Sequence, residues 1–135
     1  MRNENAEIRN IDSFDPNHFS PLALAFLGDA VFELLVRERL LREANRPPGK
    51  LHQASKERVN CRAQARCYEL LLPLLTEEEA DVLRRGKNAK PGHTPPRQTR
   101  EDYAKATAVE ALFGWLWLQG NFIRAKELYE ICDGR

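Results

Sequence analysis

The chain has 135 residues, of which 42% are apolar, and its 21 basic and 20 acidic side chains leave a net charge of +1. This length predicts one domain with a single hydrophobic core. The polar start MRNENAEIRN lacks the apolar core of a secretory signal peptide, so none is expected, and the apolar runs are too short and interrupted to span a membrane. The three cysteines lack CxxC spacing and are odd in number, which argues against a disulfide framework or a zinc site. We therefore expect a cytoplasmic protein.

The predicted elements are all helical. Residues 1–14 show no sustained period and are expected to form a flexible N-terminal arm, so that the domain covers residues 15–135. Ser20-Pro21 is a favourable helix start, with a hydroxyl cap followed by proline at the first helical position. Thr76 and Glu79 form a capping box for a later helix. Apolar periodicity and breakers predict five main helices, over residues 20–44, 50–72, 76–86, 99–120 and 121–131.

The basic residues are concentrated in two blocks. Residues 37–66 carry nine Lys or Arg against three acids, and residues 84–100 carry six and no acid. The second block contains three prolines and two glycines from Gly86 onward, which predicts an exposed loop. Such a concentration of charge is typical of a phosphate-binding surface, although a solvated face remains an alternative. The candidate nucleic-acid contacts in this block are Arg84, Arg85, Lys87, Lys90, Arg97 and Arg100.

Two apolar helices each carry an isolated acid. Asp29 lies in LALAFLGDAVFELLV, which predicts a helix buried on most sides, and Glu110 lies in AKATAVEALFGWLWL. A carboxylate in apolar surroundings is usually paired or coordinates a metal. Hard oxygen ligands from two helices suit Mg²⁺. Two alternatives stay open, namely a helix cap at Asp29 and an interhelical ion pair at Glu110. Glu33 is expected to pair with Arg37 one turn later.

The motifs FLGDAV and VEAL resemble the signature helix and the second acidic motif of the ribonuclease III family. The closer similarity is to the Mini-ribonuclease III branch, through LALAFLGDAVFE, LTEEEADVLRRGKNAKPG and the Thr107–Glu110 spacing, in the same order over residues 15–133. This resemblance implies the all-α ribonuclease III endonuclease fold. It also implies a homodimer, Mg²⁺ held by Asp29 and Glu110 as catalytic residues, and cleavage of double-stranded RNA to 5′-phosphate and 3′-hydroxyl ends.

In this branch the implied substrate is the precursor of large-subunit (23S) ribosomal RNA, with the pre-ribosomal particle and its ribosomal proteins as further partners. Most ribonuclease III enzymes carry a glutamate at the position of Ala25 and an aspartate at that of Thr107, so we expect looser, largely water-mediated metal binding here. The chain leaves no room for a separate double-stranded RNA-binding domain, so recognition is expected to come from the catalytic domain. Whether Glu33, Glu57 or Thr107 assists catalysis stays open.

Two other function classes are compatible with the helical pattern. A non-catalytic RNA-binding protein on the same fold would keep the basic blocks, but it would have no use for isolated acids in apolar helices. A helical protein-interaction module would present an apolar groove without salt-sensitive binding to nucleic acid, and the acid-free basic block argues against it. Cleavage of RNA is therefore the favoured interpretation.

Overall fold

A computed structural model describes residues 15–90 and 94–134 of the chain. Within these ranges it contains α-helices and two short 3₁₀ turns, and no strand, which confirms the all-α prediction. The helices are α1 (Pro21–Glu43), α2 (Pro48–Arg58), α3 (Cys61–Leu71), α4 (Glu77–Asn88), α5 (Arg100–Leu118) and α6 (Phe122–Asp133). None of these helices is long and apolar enough to cross a lipid bilayer. The predicted N-terminal arm lies outside the described residues.

Helix α5 forms the centre of the core. From Ala106 to Leu116 all of its side chains except Glu110 are buried, and the helix packs against α1, α3 and α4. The expectation that α1 is buried on most sides was wrong, because only its inner face is covered and the Phe26 side chain is 85% exposed. The apolar residues of α1 therefore lie on two faces of the helix, one packed against the core and one exposed to solvent.

The helix starts confirm the capping predictions. The Ser20 hydroxyl accepts a hydrogen bond from the Ala23 backbone N–H at 3.1 Å. At α4, the Thr76 hydroxyl accepts from the Glu79 N–H while the Glu79 carboxylate accepts from the Thr76 N–H. Arg124 of α6 also donates two hydrogen bonds of 2.9 Å to that buried carboxylate, so the cap of α4 ties two helices together.

The single helix predicted over residues 50–72 is two helices. The chain leaves the helical conformation at Val59 and Asn60, and the Asn60 side chain serves both ends of the break. Its amide donates to the carbonyls of Lys56 and Glu57, and its oxygen accepts from the Ala63 N–H at 2.9 Å. This break starts a new helical register at Cys61, which decides which α3 side chains face α5.

The expectation that the cysteines form no disulfide was also wrong. Cys67 of α3 and Cys132 of α6 are joined in a disulfide with a Cα–Cα distance of 4.8 Å. The two residues are 65 positions apart, so chain spacing gave no sign that the fold brings them together. Cys61 is a free thiol.

Candidate active site

A glycine-to-glycine crossing places the two acid-bearing helices in backbone contact. A Cβ built on Gly28 of α1 would overlap the backbone carbonyl of Glu110 and lie 2.9 Å from the Gly114 nitrogen. A Cβ on Gly114 would in turn overlap the Leu24 carbonyl. Side chains at either position would push the helices apart, so the two glycines set the separation of the residues beside them. One of these residues is Asp29, which follows Gly28 in the chain, and the other is Glu110, whose backbone carbonyl faces Gly28.

Asp29 and Glu110 meet at this crossing. Asp29 is exposed and Glu110 is half-buried. Burial, together with a hydrogen bond and charge repulsion from Asp29, raises the pKa of Glu110 from 4.5 to about 8. Two carboxyl groups that share one small site disfavour the doubly ionised state unless a cation is present. The arrangement is therefore a site in which a divalent cation would find two hard oxygen donors.

The described contacts exclude the structural alternatives for these acids. Helix α1 continues through Asp29 without a break, so this residue is no helix cap. Among the residues that the structure describes, no Lys, Arg or His forms an ion pair with Glu110. Glu33 pairs with Arg37 at 2.8 Å, as the sequence predicts.

Helix α3 adds a residue that the sequence reading missed. Gln64 is buried, and its amide lies near the Glu110 carboxyl, where it opposes the rise in the Glu110 pKa. Cys61, one turn earlier, also lies near Glu110, since burial first, then Asp102 and Glu110, raise the pKa of its thiol. A signal for Gln64 does exist in the sequence. It occupies the same helical face as Cys67, Tyr68 and Leu71, where an apolar side chain is the usual choice.

Comparisons with known proteins agree with this geometry. A family model described as the ribonuclease III domain matches residues 22–121, which include both acids. Proteins named Mini-ribonuclease 3 from Brevibacillus brevis and a Thermoanaerobacter strain are 43% and 42% identical to this chain. These alignments cover 86% and 83% of this chain and 87% and 79% of the relatives. The chain belongs to the ribonuclease III family.

Within that family, a group of endoribonucleases, the chain falls in the Mini-ribonuclease III branch. A crystal structure of a Fusobacterium nucleatum protein superposes with a TM-score of 0.76 at 33% identity, covering 84% of this chain and 91% of that one. The ribonuclease III fold predicted from the sequence is thus confirmed.

Two acids, Asp29 and Glu110, meet at the crossing of α1 and α5. Ala25 and Thr107, which stand where most family members are expected to carry carboxylates, are both buried here. Among the described residues no group of three or more His, Cys, Asp or Glu could hold a metal. The donor set nevertheless fits Mg²⁺, which commonly takes one or two carboxylates and retains several waters. Glu57 is exposed on α2.

The basic residues proposed to contact RNA fall into two groups. Arg84 and Arg85 pair with Asp81, and Lys87 pairs with Glu101 at 3.2 Å while its ammonium lies 5.7 Å from the centre of the Tyr68 ring. The second group is exposed and has no ion pair among the described residues. It consists of Lys90, Arg97 and Arg100. Helix α4 extends to Asn88, two residues beyond the predicted end, so Lys87 is helical and the loop begins at Ala89.

Proposed function

We propose that this protein is a magnesium-dependent endoribonuclease that hydrolyses phosphodiesters in double-stranded RNA, and that its natural substrate is the precursor of large-subunit ribosomal RNA. The observation that carries the proposal is the contact between Asp29 and Glu110 at an open site within a ribonuclease III domain. The relatives named Mini-ribonuclease 3 support the same branch of activity. Work on a ribosomal precursor would place the protein in the cytoplasm, together with pre-ribosomal particles.

Asp29 and Glu110 would hold the magnesium ion. Bound Mg²⁺ lowers the pKa of a coordinated water and polarises a phosphoryl oxygen. The chain's own contribution is to keep Glu110 half-buried in a fixed position and Asp29 open to solvent and substrate. A non-catalytic RNA-binding protein would gain nothing from two carboxyl groups that oppose each other's ionisation, so their contact favours an enzyme.

The RNA surface is proposed to include the loop between α4 and α5. Lys90, Arg97 and Arg100 are exposed there, and Arg97 adopts a left-handed backbone conformation with φ of 68°. A-form RNA is recognised mostly through its shape, its phosphates and its 2′-hydroxyls, and exposed guanidinium and ammonium groups suit such contacts. The ion-paired residues Arg84, Arg85 and Lys87 would contribute less, since an RNA phosphate has to compete there with Asp81 or Glu101.

We expect the triple change of Lys90, Arg97 and Arg100 to Gln to reduce the salt dependence of RNA binding. Each lost phosphate contact should lower the slope of log K against log salt by about 0.9. The matched control neutralises Arg84, Arg85 and Lys87, and should change the slope less. Binding of a labelled RNA duplex in Ca²⁺ at several salt concentrations measures both. Equal slopes for wild type and the first triple variant would remove the loop from the RNA surface.

The exposed face of α1 is proposed to be the homodimer interface. Leu22, Phe26, Leu34 and Leu41 are 41%, 85%, 52% and 61% exposed and fall on one side of the helix. An exposed apolar stripe of this kind commonly marks an interaction site. An isologous contact would bury the same stripe of both copies and place the two sites symmetrically about an RNA duplex.

The change Phe26→Lys is expected to shift the protein from dimer to monomer. Loss of a central aromatic contact costs about 2 kcal/mol or more, so the dissociation constant should rise about 30-fold or further. Sedimentation equilibrium measures this directly. Ile123→Lys on α6 is the control, because Ile123 is also an exposed apolar residue, 75% accessible, but lies outside the stripe. If only the Ile123 variant dissociates, the interface lies elsewhere.

The proposed activity is tested by incubating a labelled RNA duplex with the protein in Mg²⁺, in Ca²⁺ and in a chelator. Single-stranded RNA and a DNA duplex of the same sequence serve as controls. We expect cleavage of the RNA duplex only, in Mg²⁺ only, with 5′-phosphate ends. A precursor ribosomal RNA duplex should be cut at fewer positions than a random one. Salt-sensitive binding of both duplexes without any cleavage would favour the non-catalytic alternative.

A further inference from the structure

The Gln64 side chain is a buried amide without a satisfied donor. Its residue is only 5% exposed, and its Nε2 has no hydrogen-bond partner of normal geometry among the described residues. Most buried polar groups are hydrogen-bonded, and leaving a buried donor unpaired costs about 1–3 kcal/mol. An apolar side chain would avoid this cost, so the presence of an amide here calls for a role other than stability.

The fold directs this amide to the active site. Asn60 ends α2 and starts α3, and in the new register Gln64 lies close enough to the Glu110 carboxyl to lower its pKa, although Nε2 makes no hydrogen bond of normal geometry there. Among the described residues, Glu110 interacts with Asp29 and Gln64, and no cation pairs with it. Of these two partners, Asp29 repels an ionised Glu110, whereas an amide N–H is a donor to it.

We propose that Gln64 is a positioning residue for Glu110: its Nε2, which has no hydrogen-bond partner among the described residues, is placed to donate to one oxygen of the Glu110 carboxylate when that group is ionised, and so to orient the other oxygen. The inference rests on the proposed function, because the orientation matters only if Glu110 serves as a ligand. Carboxylates that ligate metals are generally held by such hydrogen bonds, and loss of the donor typically costs 10- to 100-fold in metal affinity or activity. Because the proposed site has only two acids, the orientation of the Glu110 carboxylate by one amide donor would determine much of the ligand geometry.

The test compares wild type with Gln64→Leu, which removes the donor at similar side-chain volume. Gln64→Met, which is unbranched like glutamine, is a second variant in case leucine packs poorly at this position. Gln53→Leu is the matched control, because Gln53 is exposed on α2. Two midpoints are measured in Mg²⁺ titrations, one for cleavage and one for the rise in melting temperature that ligand binding to the folded state produces. The melting temperature without metal is measured as well.

We expect both Mg²⁺ midpoints to rise about 10- to 100-fold in the Gln64 variants and to stay unchanged in Gln53→Leu. The metal-free melting temperature should be equal to that of wild type or higher, because an unpaired buried donor has been removed. A lower metal-free melting temperature with unchanged Mg²⁺ midpoints would show a purely structural role and overturn the inference. If wild type itself neither cleaves nor responds to Mg²⁺, the proposed function fails, and the inference fails with it.

Discussion

The change Asp29→Asn should abolish cleavage of an RNA duplex while the protein stays folded. Asp29 is exposed, so the substitution leaves the core untouched. It removes one of the two carboxylates proposed to hold Mg²⁺, and metal catalysis contributes several kcal/mol of transition-state stabilisation. Because each 1.36 kcal/mol is a factor of ten, turnover should fall by about three orders of magnitude or more. Single-turnover cleavage in saturating RNA measures the loss.

Two further measurements separate a catalytic role of Asp29 from a structural one. The metal-free melting temperature of Asp29→Asn should match that of wild type, because Asp29 is exposed and the asparagine oxygen can still accept the hydrogen bond that Asp29 accepts from protonated Glu110. The Mg²⁺-induced rise in melting temperature should disappear. Glu33→Gln is the control, since Glu33 lies one turn away on the same helix but pairs with Arg37, and its variant should cleave normally. Wild-type turnover by Asp29→Asn would remove the assignment of the active site.

Local signals predicted the helices well. Ser20 and the Thr76–Glu79 pair act within a few residues of their own helix ends, so their effect is visible in the sequence alone. The break at Asn60 was missed because the apolar pattern continues across it. Asparagine there closes one helix and opens the next with a single side chain, and nothing in the spacing distinguishes that role from an exposed mid-helix asparagine.

Burial around the proposed site was predicted poorly from the sequence. Asp29 was singled out because its helix was expected to be buried on most sides, yet one apolar side faces solvent, and Asp29 is itself exposed. A single-chain pattern cannot distinguish a face covered by the core from a face left for a second copy. The Cys67–Cys132 disulfide and the Gln64–Glu110 contact depend on which helices pack together, and this tertiary information appears only with the fold.

The glycines at the helix crossing explain how a site with only two acids keeps its geometry. Gly28 directly precedes Asp29, and the backbone atom that its missing side chain would strike belongs to Glu110. The same contact therefore joins the helices and fixes the separation of the two carboxyl groups. If Asp29 and Glu110 hold a cation as proposed, the backbone crossing would supply part of the precision that further acids at the positions of Ala25 and Thr107 would otherwise provide.

We expect Gly28→Ala to be the most destabilising small substitution in the protein. The new methyl group would overlap the Glu110 carbonyl, a backbone atom that cannot rotate away, so the helices must separate. Overpacking commonly costs about 1–3 kcal/mol and occasionally more, and this site should reach or exceed that upper value, out of a total stability of about 5–15 kcal/mol. Urea unfolding measures the loss, and cleavage per folded molecule should fall as well because the carboxyl groups move apart.

Other glycines provide a graded control for this interpretation. Gly114→Ala meets the Leu24 carbonyl and should be comparably severe, whereas Gly86→Ala meets the Ala108 Cα at 2.8 Å and should cost less. Gly49→Ala meets no atom within 4 Å and lies in the first turn of α2, where alanine should be neutral or stabilise the protein by up to about 1 kcal/mol. Equal stability of the Gly28 and Gly49 variants would mean that α1 and α5 can separate without cost. The crossing would then not be what holds Asp29 against Glu110.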